Sequence, residues 1–304
     1  MHQVERSQLA ITPAESDDDL AAMVEVRRAV TPEARPTVEN LRFNLQSRDQ
    51  LTYLVARIGK AVVGCGFVEG WPQLAVGDMS VVHAHRRRGV GSALLADISA
   101  RARAFGNDAL QGEVKETDTV SRAFLERRGF VAVGGEQAVV LELDDVDAPE
   151  VGPPPGVRVV SRVEEPDRLE EMYAIGVQAD EDIPGSEGVQ TFEQWRAHEI
   201  DKPTRRRELC FLAIADNEVV GYAALQVFGD EAHHGVTATR RDWRRKGVAS
   251  ALKRAEIAAA KRAGFKRLLT ESEERNEPMR RLNEKLGYRP APEWSTVVMR
   301  AQLV

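Results

Sequence analysis

The stretch Arg86-Arg87-Arg88-Gly89-Val90-Gly91-Ser92 decides the fold, and it occurs twice: Arg244-Arg245-Lys246-Gly247-Val248-Ala249-Ser250 follows 158 residues later. The apolar run 79–82 precedes the first copy. Val90, Leu94, Leu95, Ile98, Ala102 and Phe105 follow it at helical spacing, with Gly106 as a natural stop. The segment therefore reads as strand, basic turn and helix. Gly89 and Gly91 carry no Cβ, so backbone N–H groups there can approach a ligand closely. They stand where a helix N-terminus presents unpaired donors and partial positive charge, which suits a phosphate or pyrophosphate. One such glycine turn is more often plain structure; two in matching context point to a site.

The same offset aligns much of the chain with itself. Gly77 falls on Gly235, Leu94 on Leu252, Gly106 on Gly264, Glu113 on Glu271, and Gly129-Phe130 on Gly287-Tyr288. Upstream, one residue of slippage brings Val62-Val63-Gly64 onto Val219-Val220-Gly221, and the turn Gly59-Lys60 onto Asp216-Asn217. This is a whole-domain duplication, not a short solenoid repeat.

Working outward through the first copy, Asp17-Asp18-Asp19 opens a helix that ends near Pro32, and 38–46 suggests a second. Residues 51–58 and 61–68 read as a hairpin, 76–82 as the strand before the basic turn, 109–114 as the next strand, 118–128 as a helix, and 137–143 as the last strand of this half. The second half repeats the order: helices over 164–177 and 191–200, a hairpin at 211–215 and 218–227, a strand at 236–239 and another at 268–271. Its last helix is opened by Asn276 as cap with Pro278 in the first turn. Between the halves, 146–156 is acidic and then proline-rich, and reads as a linker joining domains 1–145 and 157–304. The fold class expected is α/β (α+β), with two tandem domains, each a mixed, mostly antiparallel sheet flanked by helices.

Composition narrows the function. A net charge of −6 gives no bulk reason to expect nucleic acid, and the triple-basic runs lack interleaved aromatics. No apolar stretch approaches the ~20 residues of a membrane span, and residues 1–13 lack a signal-like apolar core, so a cytoplasmic protein is expected. Cys65 and Cys210 lie in apolar runs and read as buried free thiols, with a disulfide across the halves as the alternative. No metal site is expected.

The paired Arg-x-x-Gly-x-Gly and Arg-x-x-Gly-x-Ala turns, the two helices ending in Gly and the two Gly-aromatic endings resemble the GCN5-related N-acetyltransferase (GNAT) superfamily in a tandem arrangement. The resemblance implies acetyl-CoA (or CoA) as cofactor and a small-molecule or peptide amine as acceptor. It places the pantetheine arm along Ser80, Val81 and Val82, and along Ala238, Thr239 and Arg240. It places the pyrophosphate on Arg87, Arg88, Gly89, Val90, Gly91 and Ser92, and on Arg245, Lys246, Gly247, Val248, Ala249 and Ser250. Asn276 is either a CoA-arm contact or simply a helix cap. Many family members carry a tyrosine acid four residues before the Gly of the Gly-aromatic pair; here Leu125 and Asn283 stand there.

Candidate bases are Asp78, His83 and His85 in the first half and His233, His234, Thr237 and Thr239 in the second. His234, Glu271 and Tyr288 are the candidate catalytic residues, and the second half is favoured as the catalytic one. Asp180-Glu181-Asp182 either attracts a cationic amine or is a solvated loop. A monomer that imitates a dimer, or a homodimer, is expected. The competing reading is a non-catalytic acyl-CoA-binding module.

Overall fold

The structure is a computed structural model that describes residues 9–32, 34–182, 190–273 and 276–303. The chain begins with β1 (Leu9–Pro13), α1 (Asp17–Val30), α2 (Val38–Ser47), β2 (Leu51–Ile58), β3 (Ala61–Gly70) and β4 (Ala75–Val81). Next come α3 (Val90–Ala104), β5 (Ala109–Lys115), α4 (Thr119–Glu126) and β6 (Val131–Glu142). The order then repeats: β7 (Val157–Ser161), α5 (Leu169–Glu181), α6 (Phe192–Trp195), β8 (Arg205–Ala215), β9 (Glu218–Phe228) and β10 (Glu231–Thr239). The chain closes with α7 (Val248–Arg262), β11 (Arg267–Glu273), α8 (Glu277–Lys285), β12 (Arg289–Pro290) and β13 (Thr296–Gln302).

Local chemistry explains these elements. Ser16 and Asp19 form a capping box at α1, and Thr37 and Asn276 cap α2 and α8. Gly59 turns the first hairpin at φ 60°; Asp216 and Asn217 turn the second at 49° and 65°, the left-handed pair that a tight hairpin requires. Two short strands, β1 and β7, were not expected from sequence; they pair antiparallel with β2 and β8. Helix α5 starts at Leu169, later than expected, because Pro166 and the turn before it hold the backbone out of the helix. The helix expected over 191–200 begins as α6 and continues as one π-helical turn, Arg196–Ile200.

The chain folds as two compact units: 1–114, 120–133 and 298–304 form unit 1, and 115–119 and 134–297 form unit 2. In unit 1 the strands run β1-β2-β3-β4-β5-β13, with β1 to β4 antiparallel and β5 parallel to β4. Leu94 and Ile98 of α3 press so closely on Gly64, Gly66 and Gly77 that a Cβ there would come within 3.0–3.2 Å of them. Helix α1 covers another apolar cluster with Leu20, Met23 and Val24 against Tyr53, Val55 and Cys65. In unit 2 the order is β7-β8-β9-β10-β11-β6, again antiparallel except for β10 and β11, with β12 on β6. Helix α7 packs Val248, Leu252 and Ala255 with Leu209, Phe211 and Leu268, while Met172, Ile175 and Trp195 cluster with Leu212 and Tyr222. Mixed, mostly antiparallel sheets flanked by helices are what the sequence led us to expect.

The units do not follow the expected boundary between 145 and 157. The strand expected to end the first half lies in unit 2, where Gln137–Glu142 pair with β11, and the C-terminal residues 298–304 lie in unit 1 beside β5. Both cysteines are free and buried, and burial pushes each thiol up to about 12.

Candidate functional site

Each unit carries a backbone cradle at the start of its long helix. Arg87 and Arg245 adopt left-handed φ values of 60° and 61°, and Gly89 and Gly247 of 91° and 93°. In each cradle the leading arginine folds back onto the preceding strand. Arg86 Nε donates to the Val81 carbonyl at 3.0 Å, and Arg244 Nε to the Thr239 carbonyl at 3.1 Å. The first helical bonds run from Ala93 N–H to Gly89 O and from Ala251 N–H to Gly247 O. The N–H groups of 90–92 and 248–250 thus precede the ladder. Side chains cap α1, α2, α6 and α8, yet neither α3 nor α7 has a side-chain cap. A Cβ built on Gly89 or Gly247 meets nothing within 4 Å. Uncapped donors around open space fit a pyrophosphate.

The strands before the cradles splay. Ladder pairs between β4 and β5 are Ala75↔Leu110 and Val76↔Gln111, and between β10 and β11 they run from Glu231↔Arg267 to His233↔Leu269. Ser80 and Val81 pair with β3, and Ala238 and Thr239 with β9. Their other edge, beyond the last ladder pair, has the extended backbone that pantetheine amides need.

Within this common plan the units differ. Strand β4 pairs with β3 in unbroken register, whereas β10 bulges: His234 faces Leu225 and Thr237 faces Ala223, so Gly235 and Val236 oppose Ala224 alone. This locates the one-residue slippage. Structurally His234, not Gly235, takes the place of Gly77, because both pair with equivalent residues, Leu225 and Val68. Arg205 fills the bulge. Its side chain is only 4% exposed and donates to the Ala224 and Glu199 carbonyls, each at 2.8 Å, and to Glu199 Oε2 at 2.7 Å.

Next to the bulge, unit 2 buries a polar cluster. His234 Nδ1 contacts Glu256 Oε2 at 2.8 Å, and His234 Nε2 meets the Tyr288 hydroxyl. With Glu256 as a carboxylate, which only accepts, Nδ1 carries the proton and Nε2 accepts from the phenol. Lys253 Nζ lies 5.7 Å from the Tyr288 ring centroid. Burial lowers the pKa of His234, the Lys253 ammonium lowers it further, and Glu256 opposes both. Burial holds Lys253 down at about 8 against the pull of Glu256, and burial reinforced by Glu256 raises Tyr288 well above the ordinary phenol range.

Other expected residues fall elsewhere. Glu271 is exposed; alternation along β11 puts it on the face opposite Leu268, which packs with α7. Asp78 is held by Arg27 at 2.6 Å. His233 packs at a tilt against Phe228, with ring centroids 4.8 Å apart. The hydroxyl of Thr239 is buried without a partner. Ser92 Oγ accepts from Arg128 at 2.7 Å. Arg240 is taken up by Glu218 and Asp242, both at 2.8 Å. Asn276 caps α8. Asp180-Glu181-Asp182 is not an open acidic trap: Asp182 grips Arg241 at 3.0 Å and Arg244 at 2.6 Å, and Glu181 grips Arg241 at 2.9 Å. Sequence reasoning missed Arg205, Lys253 and Glu256; setting Lys253 and Glu256 against Leu95 and Ile98 was the signal that could have found the last two.

The Acetyltransferase (GNAT) family model matches residues 10–130 and again residues 169–288. The chain belongs to the GNAT family. Both GNAT domains carry the cradle. A tandem GNAT protein from the clavulanic acid biosynthesis pathway is similar in structure, with TM-score 0.78 and 23% identity over 97% of this chain and 99% of its own. A GCN5-related N-acetyltransferase from Sphaerobacter thermophilus is similar at TM-score 0.74 and 19% identity, covering 97% and 96%. At these identities the likeness is one of fold. No curated protein matches the chain in sequence. The family membership supports acyl-CoA-dependent acyltransferase activity in general.

Proposed function

We propose that the protein transfers an acetyl group from acetyl-CoA to a primary amine of a small molecule or peptide, and that the reaction takes place in unit 2. The observation that carries this reading is the bulge in β10, which β4 lacks. A bulge turns a backbone N–H out of the ladder, and such a donor suits the charge that develops on an acyl oxygen under attack. Bound acetyl-CoA supplies the activated acyl carbon. The cradle at 245–250 holds the pyrophosphate, and 238–240 orient the arm. His234 and Tyr288 handle protons, with Glu271 as the third candidate catalytic residue. Unit 1 binds CoA without turnover or acts as scaffold. Among the described residues no helix is long and apolar enough to cross a membrane; we place the protein in the cytoplasm, as a monomer or a homodimer.

A second reading, a non-catalytic acyl-CoA sensor, rests on Leu125 and Asn283 at the positions where many relatives carry a tyrosine acid. Calorimetric titration with acetyl-CoA, followed by thiol release with a panel of amines, separates the two. Binding with turnover supports the enzyme. Binding without turnover across the panel supports the sensor. No binding removes both.

A further inference from the structure

The duplication supplies an internal control for the buried polar cluster. Structural equivalence matches Lys253 with Leu95, Glu256 with Ile98, Asn283 with Leu125 and Tyr288 with Phe130, while His234 takes the place of Gly77. In unit 1 every one of these positions is apolar, and a Cβ on Gly77 would touch Ile98 at 3.0 Å. In unit 2 the same contact is the His234–Glu256 hydrogen bond. Unit 1 thus builds the same fold with none of these polar groups. They are also expensive. The side chains of His234 and Glu256 are 1% and 0% exposed, and Glu256 Oε1 and both amide atoms of Asn283 are buried without partners. Replacing such a cluster by apolar residues is often neutral or stabilising. A cluster that the fold does not require and that costs stability is there for its chemistry.

We propose that the set Glu256–His234–Tyr288 is a proton shuttle for acyl transfer in unit 2, with Glu256 and Lys253 as positioning residues. This rests on the acyltransferase reading above. The amine nitrogen forms the N–C bond as its proton passes to the Tyr288 oxygen and the phenolic proton passes to His234 Nε2. Glu256 stabilises the imidazolium so formed. The C–S bond breaks with its electron pair on sulfur, the thiolate takes a proton back from Tyr288, and His234 restores the phenol. The proton taken from the amine ends on the thiol, so no outside acid or base is consumed. Every ionisable group facing His234 contributes. From α7, Lys253 disfavours a resting imidazolium and keeps Nε2 an acceptor; Glu256 fixes the ring and meets the transient charge. From the segment after α8, the Tyr288 hydroxyl meets Nε2. The neighbouring strands present Leu225 and Leu268. Tyr288 never has to exist as phenolate, which fits its burial. The backbone of Asn283 is tied into the unit, since its carbonyl accepts from the Tyr288 N–H at 3.1 Å, although a carboxamide cannot supply the proton itself.

Two sets of measurements test this. In the ligand-free protein, imidazole nitrogen NMR should show His234 neutral at pH 7 with the proton on Nδ1, and Tyr288→Phe should shift the Nε2 signal alone. In turnover with acetyl-CoA and the best amine of the panel, Tyr288→Phe and His234→Gln should lower kcat by on the order of 100-fold. The calorimetric affinity for acetyl-CoA should stay within about twofold. Glu256→Gln should lower kcat less and displace the pH profile, and Glu256→Asp should restore part of it. A variant carrying unit 1's residues (His234→Gly, Lys253→Leu, Glu256→Ile, Asn283→Leu, Tyr288→Phe) should fold, bind acetyl-CoA and be inactive. If Tyr288→Phe turns over within threefold of the parent with an unchanged pH profile, or if His234 carries its proton on Nε2, the shuttle is wrong while the acyltransferase reading stands. If the parent protein itself never releases thiol, it is the acyltransferase reading that has failed.

Discussion

The Arg205 guanidinium rests directly on the Cα of Gly235. A Cβ built there would lie 2.7 Å from Arg205 Cζ and closer still to both terminal nitrogens. This contact ties the bulge in β10 to Glu199 and to the carbonyl of Ala224, the residue the bulge leaves opposed by two. Gly235→Ala should therefore push Arg205 out. The expected cost is about 1–3 kcal/mol of stability, from burying a carbonyl without its donor. Turnover should fall more than acetyl-CoA affinity. Denaturant melts and thiol-release kinetics on the same preparation check both; a variant as stable and as active as the parent would remove the bulge from the argument.

Gly89→Val and Gly247→Val test the cradles. The space around both positions is open, so the new side chain strikes nothing in the chain. The penalty comes instead from the left-handed φ, about 1–2 kcal/mol for a residue with a Cβ, and from the loss of the backbone shape that aims the N–H groups. The change at Gly247 should remove a calorimetric site for acetyl-CoA and stop turnover; the change at Gly89 should leave turnover intact, and it removes a second site if unit 1 binds CoA rather than acting as scaffold.

Asp182 pairs with Arg244, the residue just before the unit 2 cradle, and so tests whether Arg244 adds charge to the pyrophosphate site. Arg241, then Arg244, holds the Asp182 carboxyl below its usual range. A depressed carboxylate contributes its pairing above its ordinary pKa and loses it as pH falls through the folded value. Asp182→Ala should free Arg244, leave Arg241 on Glu181, and tighten acetyl-CoA binding in unit 2, with a steeper dependence on salt. Unchanged affinity would show that Asp182 and the cofactor do not meet.

Lys253 makes stability depend on pH at the alkaline end. Its folded pKa of about 8 lies below the ordinary 10.5. Between those values the unfolded chain binds more protons, so stability from this group rises with pH across that window. The pair Lys253→Leu and Glu256→Ile should flatten that rise and leave stability at pH 7 equal or higher. Thermal melts from pH 7 to 10.5 read this directly, and a variant that keeps the rise would assign it to another group.

The C-terminal strand should be indispensable to unit 1. Arg300 of β13 reaches Gln111 of β5 at 3.0 Å, and Leu303 N–H bonds to Asp108 O. Deleting 298–304 should expose the edge of β5, seen as faster amide exchange there, while exchange in β8 and β9 is unaffected. Equal protection in β5 would overturn the assignment of that strand to unit 1.

Much of this was legible in the residues. The basic turns, the glycines and the helical spacing after them gave both cradles, because backbone conformation at Gly89 and Gly247 leaves a direct mark on sequence. The hairpins were visible for the same reason, through Gly59 and through Asp216-Asn217. The polar cluster was half legible: His234 and Tyr288 stand near recognisable landmarks, but Lys253 and Glu256 sit on a helix where charge usually means solvent. The bulge was hidden as a one-residue slip that sequence alignment could place anywhere between Gly64 and Gly77. The strand exchange left no trace, since the choice between neighbours is made by hydrogen-bond register and not by the composition of β6 or β13.

That exchange has a bearing on how the protein is made. The sheet of unit 1 lacks the strand beside β5 until β13 has been synthesised. At roughly 5–20 residues per second, about 190 residues and on the order of 10–40 s separate the emergence of β5 from that of β13. For that time the nascent chain carries an unpaired β5 edge, and β6, already made, is an available neighbour for it. Unit 1, begun first, is thus completed only after the strands of unit 2 have been made.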